Sequence, residues 1–339
     1  MSKSWIWRLC VAVAVLAGIV GTASAFGDPH RGDGVTVRIG WVPAASWTPW
    51  ATLQEKLKGT GVNAELVPFK SSNDSLTALV KGEIQLAPVG YNNVASLLAD
   101  SKPGVKFVSG ISEHGSVFVA RKGSGITTWA DLKGKRIASV RGSTQYVNLA
   151  TAMSNHGVDL DSDSTFVNMQ GFSDLNFALQ RGDVDAICTF PPLSGQAVQA
   201  GGVEVPEIQS GMYDGSFTVA SGILANEDFL KQHPGQARTL LTAFVQRFDE
   251  LKKDPEQWAR SYAGLTAGTD EQSLVEALKK QYIKPSLNLD EKQIRSVPRV
   301  LHRLGVIKED TGPALTARLD YSLLAKVTGK SARDLGQEG

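Results

Sequence analysis

Apolar and polar positions alternate along the chain with two different periods. Val35, Val37, Ile39 and Trp41 recur every second residue and predict a strand over 35–42. Residues 49–58 have helical spacing and stop at Gly59, and 64–69 reads as a second strand. Ser72-Asn73-Asp74 supplies a helix cap for 75–81, which ends at Gly82. A strand over 84–89, a helix over 93–99 and a strand over 106–109 follow. The middle of the chain repeats the alternation, with strands over 116–121, 136–140, 165–169 and 184–189. Between them lie a turn and short helix over 124–132, a helix opened by Gly142-Ser143-Thr144, and a helix over 173–181 capped by Ser173. A return strand spans 217–225, and the rest is helical: 227–232, 234–252, 255–262, 269–281, 290–304 and 311–324. Strands alternating with helices predict an α/β fold with a largely parallel sheet and a helical C-terminal part.

Two passages match in kind. L-T-A-L-V-K-G-E-I-Q-L-A begins at Leu76, and L-N-F-A-L-Q-R-G-D-V-D-A-I begins at Leu175. Each is a Leu/Ala helix, then a basic residue, Gly and an acid, then an apolar strand. Glycine suits the left-handed turn that ends a helix. Any helix-turn-strand junction reads this way; the sharper reading is two similar lobes, each offering a strand end to a shared cleft.

The first residues follow a different pattern. Lys3 and Arg8 precede an apolar run over 9–20, and Ala23-Ser24-Ala25 gives a small-x-small cleavage site. This is the order of a secretory signal peptide, and the apolar run is shorter than the roughly 20 residues a membrane span needs. Cleavage after Ala25 leaves 314 residues and takes the formal charge from +1 to −1. A near-neutral balance gives no reason to expect nucleic acid as a partner. Cys188 then has no intramolecular mate, so disulfides do not staple the fold, and its apolar surroundings read as a buried strand.

Several motifs together identify a resemblance. Residues 79–87 and Gly182-Asp183-Val184-Asp185-Ala186 resemble the helix-to-strand turns of periplasmic binding proteins of the nitrate/sulfonate/taurine type, which serve ABC importers. The opening strand Val37-Arg38-Ile39-Gly40-Trp41, residues 121–126, residues 131–136, Val140-Arg141-Gly142-Ser143-Thr144 and residues 226–234 also fit, in order. The resemblance implies a two-lobed type II periplasmic-binding-protein fold with two crossover strands, at 112–120 and 217–224. It places a signal peptide at 1–25, the first lobe at 26–116, the second at 117–216, and a return to the first lobe with the last helices over 217–339. It further implies a periplasmic monomer that captures a small-molecule ligand and delivers it to an ABC transporter permease, with no cofactor.

In open α/β sheets ligands lie beyond the carboxyl ends of strands, and four loops meet that condition. Gly142, Ser143, Thr144 and Gln145 combine a close backbone approach with hydroxyls at a helix start, a place that favours an anion by roughly 0.3–2 kcal/mol. An ordinary Ser cap explains the same residues. Trp41, Ser46 and Trp47 offer aromatic walls and a hydroxyl, whereas Trp50 reads as core. Tyr91 and Asn92 directly follow a strand. Phe190 and Pro191 stand where the family often carries an aromatic-x-Pro element. Arg141 adds charge or is solvated; Glu113 and His114 lie at a crossover, with hinge, pocket and plain loop readings all open. The expected ligand is a sulfonate, taurine-like included, or else an aromatic carboxylate or a neutral heterocycle.

Enzyme signatures are missing from the sequence. There is no G-x-S-x-G, no Ser with Lys three residues on, and no H-E-x-x-H. His30, His114, His156, His233 and His302 are scattered, with no helical pair for a metal. Related pyrimidine-forming enzymes of this fold class use a cysteine-rich motif that this chain lacks. The expected class is therefore a binding protein, with a periplasmic solute sensor as the alternative.

Overall fold

Residues 34–213 and 219–339 are described by a computed structural model. The leader assigned to residues 1–25 and the expected start of the return strand at Phe217 lie outside the described residues. Among the described residues ten strands follow in chain order: β1 (Val35–Trp41), β2 (Val62–Pro68), β3 (Leu86–Gly90), β4 (Val105–Ser112) and β5 (Val117–Arg121), then β6 (Arg136–Ser139), β7 (Thr165–Asn168), β8 (Ala186–Thr189), β9 (Gly202–Glu204) and β10 (Ser221–Asn226). They form two five-stranded sheets, ordered β2-β1-β3-β10-β4 and β7-β6-β8-β5-β9.

The sheets are mixed, where the alternation predicted largely parallel ones. β1 runs parallel to β2 and β3, and β6 parallel to β7 and β8. The strands next to the crossings run against their neighbours: β10 is antiparallel to β3 and β4, and β5 is antiparallel to β8 and β9. A strand entering from the opposite lobe arrives from the cleft end, so it must point the other way. The sequence pattern carries no direction, because period-two alternation is the same in both. Nor is the first crossing one unbroken strand, since β4 ends at Ser112 and β5 begins at Val117.

The paired turns adopt the backbone expected of them. Gly82 has φ +76 and Gly182 φ +73, each closing a helix (Ser72–Val80 and Ser173–Arg181) that leads into a central strand. At such an angle a side chain is strained whatever the surrounding space.

Buried Trp50 anchors the first lobe. It donates Nε1–H to the Gly40 carbonyl at 3.0 Å and meets Phe244 edge-on at 5.7 Å. Phe244 lies on the helix Pro234–Leu251, whose apolar face covers this side of the sheet. The later helices divide between the lobes instead of all returning to the first. Trp258 and Tyr262, on the helix Pro255–Ala263, bond the carbonyls of Ala45 and Pro43 at 2.8 and 3.1 Å. The next helix, Glu271–Lys279, packs against Leu193–Gln199 in the second lobe. Lys280 and Tyr282 then reach Glu204 of β9 at 2.8 and 3.0 Å. Among the described residues no helix is long and apolar enough to cross a membrane.

Candidate functional site

The carboxyl ends of β1, β2, β3, β6, β7 and β8 open on one cavity of about 110 Å³. Loops from both lobes line it. From the first lobe come Ser46 and Trp47 after β1, Lys70 to Asn73 after β2, and Gly90 and Asn93 after β3. The second lobe contributes Arg141, Ser143, Thr144 and Gln145 after β6, Phe172 after β7, and Phe190 after β8. His114, Gly115 and Val219 to Ser221 close it at the crossings.

Helix starts supply much of the polarity. The helix Thr144–Asn155 begins at the cavity, with Ser143 as its cap: Ser143 Oγ accepts from the Tyr146 N–H at 3.1 Å. That bond is the ordinary capping role, and the hydroxyl keeps its own proton to donate toward the cavity. No acidic residue stands in the first turn, so the positive end of the helix is not neutralised locally. The helix Ser72–Val80 points its start to the same space, with Ser71 as cap, although Asp74 in its first turn offsets part of the effect.

The charged side chains lining the cavity are Lys70 and Arg141, and no Asp or Glu is among the described lining residues. Arg141 is already engaged: its guanidinium meets Asp161 at 2.9 Å, donates to Tyr146 Oη at 3.0 Å and lies over the Phe166 ring. Lys70 is exposed and forms no ion pair with a described residue. His114 is stacked on Tyr213 with centroids 3.9 Å apart, and its Nδ1 lies 2.9 Å from the Gln281 carbonyl. A carbonyl only accepts, so Nδ1 carries the proton. Burial pushes the His114 pKa down, partly countered by that carbonyl, which keeps the ring neutral at pH 7. Glu113 turns away to Lys284, at 2.6 Å. Burial raises its pKa, but hydrogen bonds from Lys284 and Ser286 outweigh this and leave it below the usual range.

The structure brings together Ser46, Trp47, Ser143, Thr144, Gln145 and Phe190 of the sequence candidates. Trp41, Tyr91, Asn92, Gly142 and Pro191 do not line the cavity. Trp41 and Tyr91 are core, Tyr91 packing edge-on against Phe107 at 4.7 Å. Asn92 instead crosses between lobes, donating to the Gly142 carbonyl at 2.7 Å and accepting from Thr144 Oγ1 at 3.0 Å. Pro191 accepts from the Ala45 N–H at 3.3 Å, a second bridge across the cleft. Lys70, Ser71, Asn93 and Phe172 were missed, although the loop after β2 satisfies the same strand-end rule that found the others.

Asn148, buried on the helix Thr144–Asn155, binds both crossings. It donates to Ser116 Oγ at 3.0 Å and to the Val219 carbonyl at 3.2 Å, and accepts from the Val219 N–H at 2.6 Å. Chemically the cavity offers donors, positive charge and aromatic walls. Among its described lining residues one hydroxyl is bonded to a carboxylate, Ser71 Oγ donating to Asp74 Oδ2 at 2.8 Å within the helix cap, and no metal-holding group of His, Cys, Asp and Glu occurs among the described residues.

The family described as NMT1/THI5 like matches residues 57–258. A search of the curated proteins finds no match. Among solved structures, the ligand-binding component of an ABC-type import system from Staphylococcus aureus is similar at TM-score 0.74 and 15% identity, covering 87% of this chain and 100% of that one. The alkanesulfonate-binding protein SsuA from Xanthomonas axonopodis pv. citri, bound to MOPS, has TM-score 0.70 and 18% identity over 86% of this chain and 100% of its own. The periplasmic nitrate-binding protein NrtA from Synechocystis PCC 6803 has TM-score 0.74 and 14% identity over 89% and 91%. At these identities the likeness establishes the fold: two lobes of the type II periplasmic-binding-protein kind, with a helical C-terminal part.

Proposed function

Because the chain belongs to the NMT1/THI5-like family, we propose that it is a solute-binding protein that captures a small organic anion, foremost a sulfonate, by closing its lobes. One observation carries this reading. The start of the helix Thr144–Asn155, free of acids in its first turn, opens on a cavity whose charged described residues are Lys70 and Arg141. An anion there meets unshared backbone N–H groups, the Ser143 hydroxyl and a lysine without a described ionic partner. A neutral solute would leave that potential unused.

The structural neighbours support an import role: they include the binding component of an import system, a sulfonate binder and a nitrate binder. The chain is secreted to the periplasm by the leader at 1–25, acts as a monomer and hands its ligand to an ABC permease. It is not an enzyme. The chain leaves the first lobe after residue 116; its return after residue 216 falls outside the described residues, and the helix Glu271–Lys279 goes back to the second lobe. A melt of the mature chain against sulfonates, carboxylates and neutral heterocycles tests the proposal. A bound ligand at a hundredfold excess over Kd adds about 2.7 kcal/mol, so sulfonates should raise Tm. A melt moved only by neutral rings would replace the anion reading with a heterocycle binder.

A further inference from the structure

Resting on that anion reading, we infer that the organic part of the ligand is aromatic and uncharged. The ligand is an aryl sulfonate or aryl carboxylate, its ring held between Trp47 of one lobe and Phe172 and Phe190 of the other. All three rings line the cavity. Trp47 is 7% exposed and fixed by its Nε1–H on Ser221 Oγ at 3.2 Å. Phe172 and Phe190 stand edge to face, 4.8 Å between centroids and 67° between planes. Three aromatic side chains lining one cavity offer apolar faces to a flat ring, which is placed there at little cost in conformational freedom, whereas a flexible alkyl chain must be ordered to do so.

The tail is uncharged because an ammonium would sit near Lys70 and Arg141 with no carboxylate among the described lining residues to receive it. Taurine-like ligands, allowed by the sequence, are disfavoured on that ground.

Calorimetric titration of the mature chain with benzenesulfonate, benzoate, ethanesulfonate and taurine tests the inference. Benzenesulfonate or benzoate should bind about tenfold more tightly than ethanesulfonate, with taurine weakest; the two aryl arms separate sulfonate from carboxylate. Trp47→Leu and Phe172→Leu should each shrink the aryl preference while weakening ethanesulfonate less. Phe172 is only partly buried, so its variant stands if the Trp47 variant misfolds. Ethanesulfonate or taurine binding as tightly as the aryl ligands overturns the inference and leaves the anion reading in place, as does an aryl preference untouched by both variants. If no anion binds, the anion reading falls and takes this inference with it.

Discussion

Asn92 and Thr144 hold the two lobes together directly, side chain to side chain, at 3.0 Å. The same Asn92 amide donates to the Gly142 carbonyl at 2.7 Å. Both partners lie on the second lobe, so these bonds exist only while the cleft is closed. Two neutral hydrogen bonds contribute about 1–2 kcal/mol together, enough to favour closure by roughly tenfold. Asn92→Ala should therefore raise the radius of gyration of the ligand-free protein in solution scattering. It should also weaken ligand binding by about tenfold, because the ligand must then supply the closing energy that this bridge gave. An unchanged scattering profile with unchanged affinity would show that the bridge carries no closing energy.

Ser143 has a capping role and, in our reading, a ligand role, and one substitution separates them. Ser143→Ala removes the bond from the Tyr146 N–H and should cost about 1 kcal/mol of stability. Ser143→Gly costs only a few tenths at a cap position but equally removes the hydroxyl. If both variants lose affinity alike while their melting points differ, Ser143 touches the ligand. Full affinity in the glycine variant confines the residue to capping.

The neutral His114 predicts an acid-side weakness. Its pKa is depressed in the folded chain by burial, while the unfolded chain takes up its proton near pH 6.5. Between those values the unfolded state holds more protons, so stability falls as pH drops below about 6.5 and stops falling once the folded ring titrates. Glu113, Lys284 and Tyr213 face this ring; the Glu113 pKa is lowered and that of Tyr213 raised, which moves both away from this interval. His114→Gln should flatten the Tm profile over that interval. A bound anion should in turn pull the His114 pKa upward, making affinity rise on acidification.

Gly110 makes the sharpest steric prediction. A Cβ there would sit 2.3 Å from the Asn288 carbonyl and 2.8 Å from that of Ser286, backbone atoms fixed by the Gly110 N–H bond to Leu287. Gly110→Ala should destabilise by about 2–3 kcal/mol, read as a lowered midpoint in urea. A wild-type midpoint would mean that the 285–288 segment is free to move away.

Much of this was legible in residue order, and the limits have physical causes. The turns at Gly82 and Gly182 and the start at Ser143 were readable because each depends on one local backbone requirement. Ser46, Trp47, Thr144, Gln145 and Phe190 come together around one cavity because loops at strand ends converge whatever their neighbours do. Tyr91 was misleading for a reason of one residue: Gly90 faces the cavity, and the next side chain turns toward Phe107. Asn92 could not be told from a ligand contact, since its partners are 50 and 52 positions away. Strand direction was hidden entirely, and so were the helices Leu193–Gln199 and Pro206–Gly211 and the three-residue β9. These pieces are too short for a period to declare itself.

The position of Asn148 couples the two crossings. One amide grips Ser116 on the outgoing crossing and Val219 on the returning one, so neither segment bends without the other. A load that bends one crossing is therefore passed to the other through a single buried side chain.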